Sequence, residues 1–170
     1  MTKNNKSRSL VNIIGIPLIV TSILVGNFVF TLFISTVIIL GTKEYINLVK
    51  RHSIEPSIKL LYIGQIFLII SSLYFTLITI WMNDEFLQSG AYYIIFNMLG
   101  AVMKFQLCSP ILFVLISMIV EVFKKSSRPL LNIATTLFGF IWIGVFLNSL
   151  VCLRYLAGTN LTLAIFVSLW

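Results

Sequence analysis

The chain alternates between long apolar stretches and short polar ones, and this pattern predicts membrane-spanning helices. The first stretch, 10–49, is too long for one upright helix, since about 20 residues cross a bilayer. It is interrupted at Gly26 and Asn27, a pair that suits a tight turn. We therefore predict a helical hairpin over 10–49, with Pro17 as a kink in its first arm.

Two clean spans and one short apolar run are predicted further along the chain. The clean spans cover 60–81 and 130–153, and the second of them ends at Arg154. The run over 161–170 has only about half the ~20 residues that a crossing needs. We expect this last span to be truncated, with a continuation beyond the final residue completing it.

The apolar signal is less regular over 91–122. Lys104 and the Ser109–Pro110 pair divide this segment into two pieces, each shorter than a full span. The sequence therefore predicts an interfacial or re-entrant piece over 91–105 and a short span that starts near Leu107.

Composition agrees with a membrane protein. Hydrophobic residues make up 59% of the 170 residues and charged residues 10%, with a mean hydropathy of +1.04. Such a chain has too few polar groups to cover a soluble globule. The basic N-terminus resembles the start of a signal peptide, but no cleavage site follows, so we expect it to be retained. The predicted fold is an all-α, polytopic helical bundle of about five to six transmembrane helices, forming one domain over 1–170.

Positive charges predict the orientation of the bundle, because Lys and Arg collect on the cytoplasmic side. They form three clusters: Lys3, Lys6 and Arg8; Lys43, Lys50, Arg51 and Lys59; and Lys124, Lys125 and Arg128. The segment with Asp84 and Glu85 has no Lys or Arg and should face outward, so 91–122 must make one net crossing. We predict a cytoplasmic N-terminus. The net charge of +7 then reports topology and attraction to anionic lipid, and nucleic-acid binding is not predicted.

Groups suited to catalysis or metal binding are scarce. No two of the five acidic residues stand at helical spacing inside a predicted span, so the chain alone offers no carboxylate pair for divalent cations. Glu44, at the cytoplasmic mouth of the second span, suits a hydrated or lysine-paired carboxylate. Asn132, at the start of the 130–153 span, suits a helix cap or an interhelical hydrogen bond. The alternative for both Glu44 and Asn132 is that they line a substrate cavity.

A family resemblance is densest near the end of the chain. The stretch from Arg128 to Arg154, with its asparagine, alanine, threonine and glycine helix and its leucine-arginine end, resembles the middle of bacterial phosphatidate cytidylyltransferases (CDP-diglyceride synthases). The following run, LTLAIFVSLW, is similar to that family's span closing on tryptophan. Glu44 with Tyr45 resembles the family's acidic-aromatic pair at the end of its second span.

The resemblance implies a reaction in which phosphatidate attacks CTP, releasing pyrophosphate and forming CDP-diacylglycerol in a bacterial inner membrane. It also implies Mg²⁺, whose carboxylate ligands in this family follow the tryptophan-ending span. The chain therefore resembles the N-terminal half, and we assign it no catalytic or metal-binding residue. The missing half would be supplied in cis or as a separate chain, and a homodimer stays open. Candidates for contact with the lipid headgroup are Arg8, Lys43, Lys50, Arg51 and Arg128.

The competing interpretation is a non-enzymatic membrane protein, such as a transporter fragment or a small membrane subunit. Transporters usually combine inverted repeats with broken polar helices near the midplane. The predicted break within 91–109 is the one candidate for such a helix, and no internal repeat accompanies it.

Overall fold

A computed structural model describes residues 15–51, 54–81, 92–124, 126 and 128–169, and every regular element in these ranges is a helix. The predicted all-α membrane bundle is thereby confirmed. The helices are α1 (Gly15–Val25), α2 (Asn27–Lys50), α3 (Ile58–Trp81), α4 (Tyr92–Lys124), α5 (Pro129–Gly139), a π-helical turn (Phe140–Val145) and α6 (Phe146–Leu169).

Four helical segments are long and apolar enough to cross a membrane: Phe28–Lys50, Ile58–Ile80, Asn97–Lys124 and Pro129–Ser168. The shorter α1 precedes them and meets α2 at Gly26, whose φ of 120° lies in the region that favours glycine. Pro17 lies in α1, whose described part begins at Gly15. The part of the predicted first arm before Gly15 lies outside the described residues.

The predicted break in the segment 91–122 is wrong, because α4 is one helix of 33 residues with Pro110 inside it. A proline lacks the N–H that would bond the carbonyl four residues earlier, here that of Gln106. The Ser109 hydroxyl donates to this Gln106 carbonyl at 2.8 Å. The side chain next to the proline thus satisfies the released group, and the helix continues where the sequence indicated two pieces.

Between the predicted spans 130–153 and 161–170, α6 consists of two helical stretches that meet at a kink at Gly158, whose φ is 72° and ψ 179°. The first stretch therefore continues past Arg154 by about one turn before the interruption. Arg154 is buried, and its Nε and Nη2 atoms donate to the Ile23 carbonyl at 3.2 and 3.0 Å. Carbonyls in the last turn of a helix lack partners within it, so Arg154 caps the end of α1.

Two groups of buried side chains hold the helices together. The larger draws on α1, α2, α3, the π-helical turn and α6 and contains Ile23, Phe30, Ile34, Ile38, Ile69, Ile143 and Val151. The smaller contains Ile46, Leu61, Leu68, Phe113 and Phe140. In the smaller group the Phe113 and Phe140 rings are stacked with centroids 3.8 Å apart. Large apolar side chains are also exposed along all the long helices, as expected for surfaces that face lipid.

Candidate functional site

Four helix ends meet at one end of the bundle. They are the last turns of α2 and α4 and the first turns of α3 and α5, joined by hydrogen bonds between side chains and loop backbone. This end carries the second and third of the basic clusters that the sequence assigned to the cytoplasm. Buried hydrogen-bonded polar side chains and exposed basic residues lie together here, and we take this end as the candidate site.

A buried carboxylate lies at the centre of this site. Glu121, near the end of α4, is only 2% exposed. It accepts a hydrogen bond from the Asn132 Nδ2 atom at 2.7 Å, one from the Ser126 hydroxyl and a longer one from the Ser57 hydroxyl at 3.5 Å. Burying a carboxylate is costly unless donors surround it, and here three elements supply them.

The same network fixes the link between α2 and α3. The Asn132 Oδ1 atom accepts from the Glu55 N–H at 3.2 Å, and the Thr136 hydroxyl oxygen accepts from the Ser57 N–H at 3.0 Å. The Lys124 ammonium donates to the Glu55 carbonyl at 2.6 Å. We call Ser57, Glu121, Ser126, Asn132 and Thr136 the Glu121 cluster. It holds the loop 54–57 against the facing ends of α4 and α5.

Helix α2 joins the site through Tyr45. Its hydroxyl donates to the Thr135 carbonyl of α5 at 2.6 Å. Gly139 makes room for the ring, since a Cβ on this glycine would stand 2.5 Å from Tyr45 Cε1. The close approach of α2 to α5 therefore depends on a glycine opposite an aromatic residue.

The structure places most of the predicted headgroup candidates at this end. Lys43, Lys50, Arg51 and Arg128 are all exposed on it, and Arg8 lies outside the described residues. Their charges are open to the surface, as a headgroup contact requires. None of the hydrogen bonds described for the Glu121 carboxylate comes from these four residues.

Glu44 and Asn132, the two residues predicted as possible cavity-lining groups, lie in different environments. Glu44 is exposed on α2 and takes no part in the Glu121 cluster. Asn132 is buried, and its amide is occupied by Glu121, Ser126 and the Glu55 N–H. Asn132 thus bonds to neighbouring elements, while the N-cap position of α5 is taken by Arg128. Neither residue lines the cavities described between the helices.

Sequence reasoning did not single out Glu121. It was considered only as one of five dispersed acids, none at helical spacing from another. The available signal was a carboxylate near the end of an apolar run, since ionisable residues in such runs usually have a partner. That partner is Asn132, which lies beyond a turn and cannot be recognised from helical spacing.

The described residues do not fit a divalent metal ion. Among them no group of three His, Cys, Asp or Glu side chains stands close enough to hold one. Both Glu121 oxygens already accept hydrogen bonds, and Glu44 and Glu55 are exposed. Mg²⁺ requires one or two carboxylates with open coordination positions, which this site does not provide.

Comparison with known families decides the assignment. The family model of the cytidylyltransferase family matches residues 6–170. The chain belongs to the cytidylyltransferase family. The matched range contains the Glu121 cluster and every headgroup candidate, so the whole polar end of the bundle lies within the family's domain. No curated protein and no solved structure gave a match.

Proposed function

We propose that this chain is the lipid-embedded, N-terminal half of a phosphatidate cytidylyltransferase, which forms CDP-diacylglycerol and pyrophosphate from CTP and phosphatidate. The observation that carries the proposal is the family match over 6–170, on a bundle whose polar end combines a buried hydrogen-bond cluster with exposed basic residues. Family membership supports cytidylyl transfer, and the membrane bundle supports a lipid as the acceptor.

The exposed basic residues suit a phosphorylated lipid. Phosphatidate carries its phosphate at the membrane surface, where each nearby Lys or Arg contributes about 1 kcal/mol of attraction to anionic lipid. Lys50 and Arg51 end α2, and Arg128 precedes α5, so the Glu121 cluster ties together the elements that carry them. In this proposal the cluster keeps the headgroup contacts at fixed positions.

In this proposal, residues other than those described here carry out the metal-dependent chemistry. Phosphoryl-type transfer needs stabilisation of charge on the phosphates, which a metal ion held by carboxylates supplies. Because the described residues do not fit such an ion, we place its ligands outside them and, following the family resemblance, on a segment supplied in cis or as a second chain. The present chain then binds and orients the lipid.

The test begins with the transcript. It is sequenced past the Trp170 codon, and the chain is expressed with the segment that the transcript or the adjacent reading frame encodes. We expect an acidic segment with an Asp-x-x-Ala-Tyr sequence. In phosphatidate vesicles with radiolabelled CTP, the complete assembly should form labelled CDP-diacylglycerol, and the 170-residue chain alone should form none.

Three outcomes count against the proposal. An unrelated downstream sequence without an acidic partner would favour the non-enzymatic interpretation. A complete assembly that releases no pyrophosphate when CTP and phosphatidate are both present would reject the reaction. Product formed by the 170-residue chain alone would reject the placement of the catalytic carboxylates. Diacylglycerol in place of phosphatidate is the control lipid, since it lacks the reacting phosphate.

A further inference from the structure

Exposed aromatic rings form a row on one face of the bundle, apart from the Glu121 cluster. Phe138, Trp142 and Phe146 follow one another with ring centroids 5.7 and 5.6 Å apart, and they are 54%, 61% and 57% exposed. The Tyr45 ring of α2 lies 6.2 Å from that of Phe138. We call Phe138, Trp142 and Phe146 the aromatic row. It follows the seam between α2 and the helix that begins at Pro129.

Trp142 lies at an unusual depth for a tryptophan. At about 1.5 Å per residue it is roughly 20 Å along the helix from Pro129, near the middle of a hydrocarbon layer about 30 Å thick. Tryptophan collects instead at the membrane surfaces, where its indole N–H finds an acceptor. None of the described residues accepts a hydrogen bond from the Trp142 Nε1 atom. This donor therefore faces a region where lipid tails offer no acceptor.

A carboxylate lies at the cytoplasmic edge of the same face. Glu44 stands about 9 Å from the Lys50 end of α2. It follows Gly41 by three residues, and a Cβ on Gly41 would meet Ile143 of the π-helical turn at 3.4 Å. Residues three apart are neighbours on a helix surface, so Glu44 borders the seam that carries the aromatic row.

Glu44 has no cation beside it on its own helix. Its neighbours three and four positions away are uncharged: Leu40, Gly41, Asn47 and Leu48. The side chain is exposed, and within the described part of the chain no ion pair or hydrogen bond joins its carboxylate. A carboxylate at the edge of a membrane span usually has a partner, which the described residues do not supply here.

We propose that the aromatic row and Glu44 bind a transmembrane helix of a different polypeptide segment. This helix carries a Lys or Arg near its cytoplasmic end, which pairs with Glu44. Near its middle it carries a Ser, Thr or Asn, whose oxygen accepts from Trp142 Nε1. The charge and the donor on this face therefore specify the partner by complementary chemistry at two depths. The proposal does not rest on the reaction proposed above.

Two other occupants match this face less well. A second copy of the chain, related by a two-fold axis along the membrane normal, would bring equal groups to equal depths. Two Glu44 carboxylates would then repel, and two Trp142 donors could not bond to each other. A lipid with an amine headgroup could pair with Glu44, but its tails would leave the Trp142 N–H without an acceptor.

The experiment replaces Phe138 with photoreactive p-benzoylphenylalanine in the full chain, in membranes of the cells that naturally produce it. Leu115 is the matched control position. It is also 54% exposed, and it lies as many residues from the Lys124 end of α4 as Phe138 lies from Pro129. After illumination, mass spectrometry identifies the adducts.

We expect at least about fivefold more polypeptide adduct at position 138 than at position 115. The labelled peptide should belong to a transmembrane helix of different sequence. That helix should carry a Lys or Arg near its cytoplasmic end and a Ser, Thr or Asn near its middle.

Two substitutions test the polar contacts separately. Glu44→Gln removes the charge at similar size and should lower the adduct yield about fivefold. Trp142→Phe keeps an aromatic ring without the N–H and should lower the yield about threefold. Tyr74→Phe is the matched control, since it removes a hydroxyl from an exposed ring on α3 and should leave the yield unchanged.

Equal polypeptide adduct at positions 138 and 115 would overturn the proposal and show that lipid covers the aromatic row. Adducts within a second copy of the chain would also overturn it, as would a partner helix without a basic residue. Unchanged yields in folded Glu44→Gln and Trp142→Phe chains would reject the polar match. The first three outcomes need neither variant, and none depends on whether the protein transfers cytidylyl groups.

Discussion

At the scale of single residues, Glu121 and Asn132 stabilise the structure only as a pair. The carboxylate is buried and depends on the Asn132 amide, while the other end of that amide accepts from the Glu55 N–H. Removing one partner leaves a buried group unsatisfied, which costs more than the net gain of the hydrogen bond itself. The hydrogen bonds of this pair therefore hold the loop 54–57 in a single position.

Asn132→Ala should lower the free energy of unfolding by about 1–3 kcal/mol, because it leaves the Glu121 carboxylate and the Glu55 N–H short of partners. The measurement is denaturant unfolding in detergent micelles. Thr135→Ala is the control, since its hydroxyl bonds only to the Leu131 and Asn132 carbonyls of its own helix. Equal losses in the two variants would show that the cluster does not stabilise the fold.

The exposed basic residues carry the proposed contact with the phosphate. Replacing them together with glutamine should weaken binding of fluorescent phosphatidate to the complete protein in detergent by at least about tenfold, given roughly 1 kcal/mol for each charge. The positions are Arg8, Lys43, Lys50, Arg51 and Arg128. Lys104→Gln is the control, since Lys104 is exposed on α4 about 30 Å from its Lys124 end. Unchanged affinity after the joint replacement would refute the headgroup assignment.

At the scale of helices, a hydrogen bond from a side chain can stabilise the backbone at a residue that usually indicates a helix end. Pro110 does not end α4, because Ser109 satisfies the carbonyl that the proline releases. Arg154 lies about one turn before the kink at Gly158, and it donates to the Ile23 carbonyl at the end of α1. In both cases a polar side chain satisfies a backbone carbonyl that its own helix leaves without a partner.

Close packing of α3 against α4 and the π-helical turn depends on Gly64. A Cβ there would stand 2.5 Å from Phe113 and 2.9 Å from Phe140, whose stacked rings cannot both retreat. Gly64→Ala should therefore destabilise the protein by about 1–3 kcal/mol, measured by thermal unfolding in nanodiscs. Gly100→Ala, where a Cβ meets nothing within 4 Å, should be neutral or slightly stabilising. A neutral Gly64→Ala would show that these helices can separate at little cost.

At the scale of the whole molecule, charge and helix geometry agree on the arrangement in the membrane. The end of α4 contacts the loop before α3, so both lie on one face of the bilayer. At about 1.5 Å per residue, the 33 residues of α4 span about 50 Å, enough for one complete crossing. The positive-inside rule predicts that the face with the basic residues is cytoplasmic.

Cysteine labelling checks this sidedness. In a chain with Cys108 and Cys152 replaced by serine, Lys59→Cys and Lys124→Cys should react with a membrane-impermeant maleimide only after the cells are permeabilised. Gln88→Cys, in the stretch between α3 and α4, should react in intact cells. Labelling of Lys124→Cys but not Lys59→Cys in intact cells would contradict a single crossing by α4.

The hydrophobic pattern alone determined the helical class and the membrane environment, because burying backbone polar groups in lipid leaves few alternatives to helices. Its basic clusters also marked the end of the bundle that carries the candidate site. Hydropathy failed at the Ser109–Pro110 pair, where a polar side chain satisfies the backbone of its own helix, since an average over a window does not register a hydrogen bond.

Only the tertiary structure decided which polar residues act together. Glu121 meets Asn132 across the turn between α4 and α5, and both meet the loop before α3, at separations that no helical period predicts. The buried Asn148 Oδ1 atom, which has no hydrogen-bond partner, likewise becomes visible only in the packed structure. A sequence reports the preference of each residue for water or lipid, whereas the satisfaction of a buried polar atom depends on the side chains that the fold brings to it.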